Sequence, residues 1–464
     1  MFSSTTYNSR RKQLMSRFRS GLILFLGNQE SGMNYADNTY HFRQDSNFLY
    51  YCGLDYAGLA AVIDIDSGKT TVFGDELSLD MIVWMGALPT IKEMSLQAGI
   101  EATAPESELI KVLTQARQQN REIHFLPPYR PENAIRLSHL LGINHSEAGT
   151  KASLTLIKAV IAQRSIKTEE EIAEIEKGVA ITNEMHLTAM RMARPGMTEA
   201  EVAAAVHAVP LRHGSHLSFP VICSIHGEIL HNHYHKNTLT SGKLLLLDAG
   251  GESQMHYAGD MTRTFPVDKT FTQKQKEIYN IELQAVNNAI EALRPGITYR
   301  EIHFLAARTI ASGLKELGLM KGDVEEAVAA GAHALFFPHG LGHMMGLDVH
   351  DMEDLGEIYV GYAPGEQKSN QFGLKSLRLA RALEPGFVLT VEPGIYFIPV
   401  LIDKWRAEGK FTEFINYPAL ESYRDFGGVR IEDNYLITAT GARLLGKQVA
   451  KTAEAVEEIR YSAE

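Results

Sequence analysis

The chain has 464 residues, of which 45% are hydrophobic and 22% charged, and a formal net charge of −11. This is an ordinary globular composition on a chain too long for one typical core, so two or more domains are expected. The acidic balance and the absence of any Lys/Arg block argue against a nucleic-acid partner, and no run approaches the ~18 apolar residues of a membrane-spanning helix.

In chain order, GLILFL at 21–26 follows a basic stretch but is too short for the apolar part of a secretory signal, and no small-residue cleavage site follows it; it reads as a buried strand. VIDIDSGKTTVF reads as a β-hairpin turning at Asp66, Ser67 and Gly68. SELIKVLTQARQQ reads as a helix, and residues 1–160 together form a mixed α/β unit without a catalytic constellation. Cys52 and Cys223 have neither C-x-x-C spacing nor a disulfide framework around them, which fits a reducing, cytoplasmic setting.

A second unit, 161–464, opens where Thr168 and Glu171 form a T-x-x-E capping box ahead of Ile172, Ile175 and Val179. Within it RPGMTEAEV at 194–202 and RPGITYREI at 294–302 both stop one helix and start the next, with capping boxes Thr198/Glu201 and Thr298/Glu301. The same cassette recurring after 100 residues suggests two related α/β halves with a site between them.

The chemistry gathers in this second unit. In LLLLDAGGESQMHYAGDMTRTFPV a buried strand ends at Asp248 and a second one carries Asp260; a hairpin centred on Gln254 would set the two carboxylates opposite each other. Facing carboxylates either raise a pKa or recruit a cation. Glu392 ends the β-rich run of FVLTVEPGIYF, and alternation in GGVRIEDNYLI puts Arg430, Glu432 and Asn434 on one face. Adding one imidazole of PHGLGHMMGLDVHD, whose histidines are His339, His343 and His350, gives Asp, Asp, His, Glu, Glu. That set suits two carboxylate-bridged cations, with Mn²⁺ favoured and Co²⁺, Fe²⁺ or Zn²⁺ as alternatives. Thr262, on the strand face of Asp260, is a candidate donor to that carboxylate. His233 and His235 read as a polar strand face.

DAGGE, GDMTRTFP, HGLGHMMGLDVHD, TVEPGIY and GGVRIEDN, in this order, resemble the Xaa-Pro peptidases of the pita-bread metallopeptidase fold, aminopeptidase P and prolidase. FRQDSNFLYYCGL and VIDIDSGKTTVF resemble the N-terminal domain of the same family. The resemblance implies an α/β (α+β) protein: a pita-bread catalytic domain with a pseudo-two-fold repeat behind a mixed α/β N-terminal domain. It implies that Asp248, Asp260, His343, Glu392 and Glu432 bind the metals and that His231 and His350 face the substrate. His339 would be supporting structure, and Glu392 would also shuttle a proton. Arg378, first arginine of SLRLAR, would read the free carboxylate of a dipeptide, with Arg430 also at the substrate; the alternative for Arg378 and Arg381 is a solvated helix face. The expected reaction is hydrolysis of the bond before proline by a hydroxide held between two cations, in a prolidase-like dipeptidase or alternatively an aminopeptidase P acting on longer peptides. Small peptides with proline second are the expected substrates, and a homodimer or higher homo-oligomer the expected assembly. The MEDLGE that follows DVHD departs from the Gly-rich turn common in prolidases.

Overall fold

The computed structural model describes residues Met1–Ser462 and divides into two compact units, Met1–Arg164 with Asp354–Gly356, and Ser165–Glu353 with Glu357–Glu464. In the first, strands β1 (Leu22–Leu26), β2 (Ala60–Asp64), β3 (Lys69–Phe73), β4 (Ala102–Ala104) and β5 (Ile123–Phe125) form a mixed sheet ordered β4-β3-β2-β1-β5. The β2–β3 hairpin turns where Asp64 accepts the backbone N–H groups of Asp66 and Ser67, and Gly68 supplies the left-handed residue, φ 70°. Helices Glu106–Gln118 and Pro131–Leu141 pack Leu109, Leu113, Leu137 and Leu140 onto Leu22, Leu24 and Phe73. The helix Leu79–Met85 contrasts with them: LDMIVWM is almost wholly apolar, yet none of its residues is buried.

The second unit repeats one plan. Helices Glu169–Met192 and Glu199–Arg212 pair with each other, as do Gln273–Ala292 and Tyr299–Glu316, and the capping boxes at Thr168, Thr198 and Thr298 are all formed. Each Arg-Pro-Gly turn is tied down alike, Gly196 N–H donating to Leu239 C=O and Gly296 N–H to Leu383 C=O, both at 2.9 Å. Each of those leucines lies nine residues before an acid, Asp248 or Glu392. Asp248 ends strand β7 (Leu244–Asp248) and Glu392 directly follows β9 (Val388–Val391), so the duplication sets the first carboxylate of each half at an equivalent place.

Strand β6 (Ile222–Ser224) borders β7, which pairs with β8 (Thr262–Pro266). In the other half β10 (Gly394–Tyr396) pairs with β11 (Gly428–Arg430), and β9 lies beside β12 (Asp433–Ile437), whose far edge is β13 (Ala442–Leu444). All of β7, β8, β9 and β12 is buried, as are Cys52 and Cys223. Among the described residues no helix is long and apolar enough to cross a membrane.

Candidate metal centre

Asp248, Asp260, His343, Glu392 and Glu432 line one cavity of about 530 Å³. Ligand atoms of Asp260, His343 and Glu432 fall within 4.8 Å of one another. His343 Nε2 lies 3.4 Å from Asp260 Oδ2 and 3.3 Å from Glu392 Oε1. Its Nδ1 donates to Met344 C=O at 3.0 Å, which fixes the ring and leaves Nε2 toward the carboxylates.

The hairpin tip falls at Met255, one residue later than its expected centre, so Asp248 pairs with Thr262. Asp260 sits two positions along on the same face, a diagonal neighbour instead of a directly opposed one. Gly250 and Gly259 permit the close approach: a β-carbon on Gly250 would meet Gly259 C=O at 2.0 Å. Glu432 emerges at the break between β11 and β12, and its N–H donates to Thr262 C=O at 3.0 Å.

Thr262 does not serve Asp260. Its hydroxyl donates to Glu432 Oε2 at 2.7 Å and accepts Arg430 Nε at 3.1 Å. Arg430, expected at the substrate, lines the same cavity; it is buried and donates to Asp248 Oδ2 at 2.5 Å, the Tyr396 hydroxyl at 2.7 Å, and Thr262. Tyr396 in turn meets His339 Nε2 at 2.9 Å, so His339 buttresses the wall.

The electrostatics are those of a site built for positive charge. Burial raises the Asp248 carboxyl, raises Asp260 to about 6, and raises Glu432 well above its ordinary range, the last helped by Asp260. Burial alone would depress His343, but its bonds to Asp260 and Glu392 outweigh it and raise the imidazole to about 10. Burial likewise pushes Glu392 up, yet His343 pulls it down to about 2. Asp248 Oδ1 and Glu432 Oε1 are buried without a hydrogen-bond partner among the described residues. Protons and orphaned oxygens thus stand where cations would satisfy the same atoms, and the donor set fits divalent metal.

His231, His233, His350 and Arg378 line the same cavity, with Phe219, Pro220, Leu230 and Val349 as its apolar wall. The segment with His233 and His235 is a loop, not a strand. Asn232 makes it so, its Oδ1 capping Tyr234 N–H in an Asx turn while its Nδ2 donates to Ser224 Oγ at 2.9 Å. Arg378 and Arg381 follow the 3₁₀ turn Leu374–Ser376 and share no helix face. Arg381 pairs with Glu384, whereas the ion pairs of Arg378 among the described residues run from Nε, to Glu353 and Glu357 at 3.4 and 3.6 Å. Glu353 was not among the expected site residues. It also accepts His350 Nδ1–H at 2.6 Å, and that bond holds its carboxyl down at about 2. Its sequence signal was the segment MEDLGE, which stands in place of the expected Gly-rich turn.

The family model for metallopeptidase family M24 matches residues 173–439, and that for the aminopeptidase P N-terminal domain matches residues 7–124. The chain is 32% identical to the Xaa-Pro dipeptidase of Homo sapiens, over 96% of this chain and 91% of that one. It is also 32% identical to the Xaa-Pro aminopeptidase of Escherichia coli strain K12, over 99% and 98%. Among solved structures it is similar to the low-pH form of E. coli aminopeptidase P, with TM-score 0.82, 30% identity and coverage of 100% and 99%. Aminopeptidase PepP of Pseudomonas aeruginosa matches with TM-score 0.81 and 27% identity, covering 100% of this chain and 99% of that one.

Proposed function

This chain belongs to metallopeptidase family M24, and from that premise we propose that it hydrolyses the peptide bond before proline, with Xaa-Pro dipeptides as preferred substrates. The observation that carries this reading is one cavity lined at once by five metal-type donors, four further imidazoles, among them His231 and His350, and the guanidinium of Arg378.

Asp248, Asp260, His343, Glu392 and Glu432 would hold two divalent cations, Mn²⁺ by preference, since four of five donors are hard oxygens. When bound, such ions make water nucleophilic near neutral pH and polarise a carbonyl. The chain's own residues do the rest. Glu392 takes up the proton of the attacking water at the carboxylate oxygen that Thr390 Oγ1 does not engage. Burial and the neighbouring His343 hold His350 below its ordinary value while Glu353 on Nδ1 works against them; once protonated, its Nε2–H meets negative charge growing on the carbonyl oxygen. His231, on the same cavity wall, supplies the proton that the departing prolyl nitrogen needs. The apolar wall receives the pyrrolidine ring, and no group there demands the N–H that proline lacks.

Arg378 decides substrate length. Its terminal nitrogens form a planar fork suited to bidentate capture of a dipeptide's free carboxylate. The aminopeptidase reading, with longer peptides, draws on Glu353 and Glu357, whose negative charges partly cancel that of Arg378. The test compares Gly-Pro with Gly-Pro-Gly in Mn²⁺, for wild type and Arg378→Ala. Preference for the dipeptide, lost by at least about tenfold in the variant, supports the reading, that factor being about one charged hydrogen bond. Poor cleavage of Gly-Pro beside rapid cleavage of Gly-Pro-Gly makes the protein an aminopeptidase P instead. Self-association is part of this proposal, supported by the exposed apolar helix Leu79–Met85. A cytoplasmic location draws support from two free cysteines.

A further inference from the structure

We propose that Glu353 is a positioning residue that yokes His350 to Arg378, one carboxylate oxygen for each, and thereby sets the enzyme's discrimination between dipeptides and longer peptides. The inference rests on the Xaa-Pro reading above and adds to it the residue that aims both substrate-facing groups.

The geometry is specific to a carboxylate. Glu353 Oε2 accepts His350 Nδ1–H at 2.6 Å, and Oε1 accepts Arg378 Nε–H at 3.4 Å. Both partners are donors, so both oxygens must be acceptors, a condition that glutamate meets and glutamine cannot. Holding His350 by Nδ1 leaves Nε2 for the cavity; holding Arg378 by Nε leaves the two terminal nitrogens for it. The imidazole and the guanidinium are thus fixed relative to each other through one side chain.

The surrounding turn is built to keep Glu353 in place. Met352, just before it, has φ 63°, in the left-handed region that a β-carbon disfavours. Asp351 is locked by Lys167 at 2.7 Å, both side chains only 1% exposed, and Asp351 also accepts the Asp348 N–H. A turn pinned on one side and strained at its apex presents Glu353 in a single direction. Glu357 adds a second carboxylate 3.6 Å from Arg378 Nε and is itself paired with Lys368, so Glu353 alone bridges the two substrate-facing groups.

The two arms affect different kinetic quantities. Loss of the Arg378 arm weakens capture of a free carboxylate next to proline, which a dipeptide has and Gly-Pro-Gly lacks. Loss of the His350 arm slows the chemical step for both substrates. In Glu353→Gln the surviving oxygen serves the shorter bond to His350 and the new amide turns toward Arg378. The expected result is a rise of about tenfold in KM for Gly-Pro, with KM for Gly-Pro-Gly within about twofold and kcat for both within about threefold. Glu353→Ala adds a fall in kcat for both substrates. In an Arg378→Lys background, which removes the Nε donor, Glu353→Gln has no further effect on Gly-Pro.

Equal changes for the two substrates, no change at all, or simple additivity with Arg378→Lys overturns the proposal. Metal content and thermal unfolding of each variant separate these outcomes from misfolding. If the wild type cleaves neither substrate, the peptidase reading fails. The ¹⁵N signals of His350 in the metal-loaded protein then judge Glu353 alone: Nδ1 protonated in wild type and released from that tautomer in Glu353→Ala supports the bridge, and identical signals overturn it.

Discussion

His343 Nε2 stands 3.4 Å from Asp260 Oδ2, so the imidazole and the carboxylate face each other at the atoms that would hold a cation. With His343 at about 10 and Asp260 at about 6, the imidazole carries a proton at neutral pH. A cation at the same atoms must displace it. Calorimetric titration with Mn²⁺ at pH 7, in buffers of different ionisation enthalpy, is expected to show net proton release, from His343 and from the raised Glu432 carboxyl, and weaker binding as pH falls. Binding heats that are independent of the buffer contradict this.

The same shifts give the cation-free protein a directional response to pH. His343 is raised from about 6.5 unfolded to about 10 folded, so its contribution is complete below 6.5 and disappears as pH rises through 10. Asp260, raised from about 3.9 to about 6, acts in the same sense, since ionising it in place costs stability once pH passes from 4 toward 6. Glu392, depressed to about 2, contributes above its unfolded value near 4.3 and loses that contribution only as pH falls toward 2. Thermal unfolding of EDTA-treated protein should therefore be best near pH 4 to 5 as far as this site contributes, and decline on the alkaline side. Saturating Mn²⁺ should flatten that decline, and a melting temperature equally flat with and without the ion would refute the charge assignment.

Thr262→Val keeps shape and removes the hydroxyl that links Glu432 Oε2 to Arg430 Nε. Partners of this kind are typically worth 10–100-fold in metal affinity or activity. Titration of hydrolysis against free Mn²⁺ should show the midpoint displaced upward by about that factor. A displacement under about twofold would mean that Glu432 is oriented by its backbone alone.

What could be read in advance was whatever depends on a local pattern. The capping boxes at Thr168, Thr198 and Thr298 need only a short segment to form, and all three are present. The duplicated turns were legible in the sequence, and Asp248 and Glu392 follow from them because strand length fixes the distance from turn to acid. Register was harder: moving the hairpin tip from Gln254 to Met255 leaves the faces unchanged but puts Thr262 across from Asp248. Side-chain pairs between distant segments were not legible at all. Nothing local to Arg430 reveals that it holds Asp248, 182 residues away, and Glu353 finds Arg378 only through the fold. The loop at His233 was misread because alternation of polar residues implies a strand unless Asn232 is seen to turn back on the chain.

Both thiols of this chain lie in apolar interiors, and burial pushes Cys52 up to about 12 and Cys223 higher still. Neither will alkylate readily under native conditions. A cysteine introduced on an exposed surface would then be the one reactive handle on the molecule, and a fluorophore or spin label could be attached there without first removing the native pair.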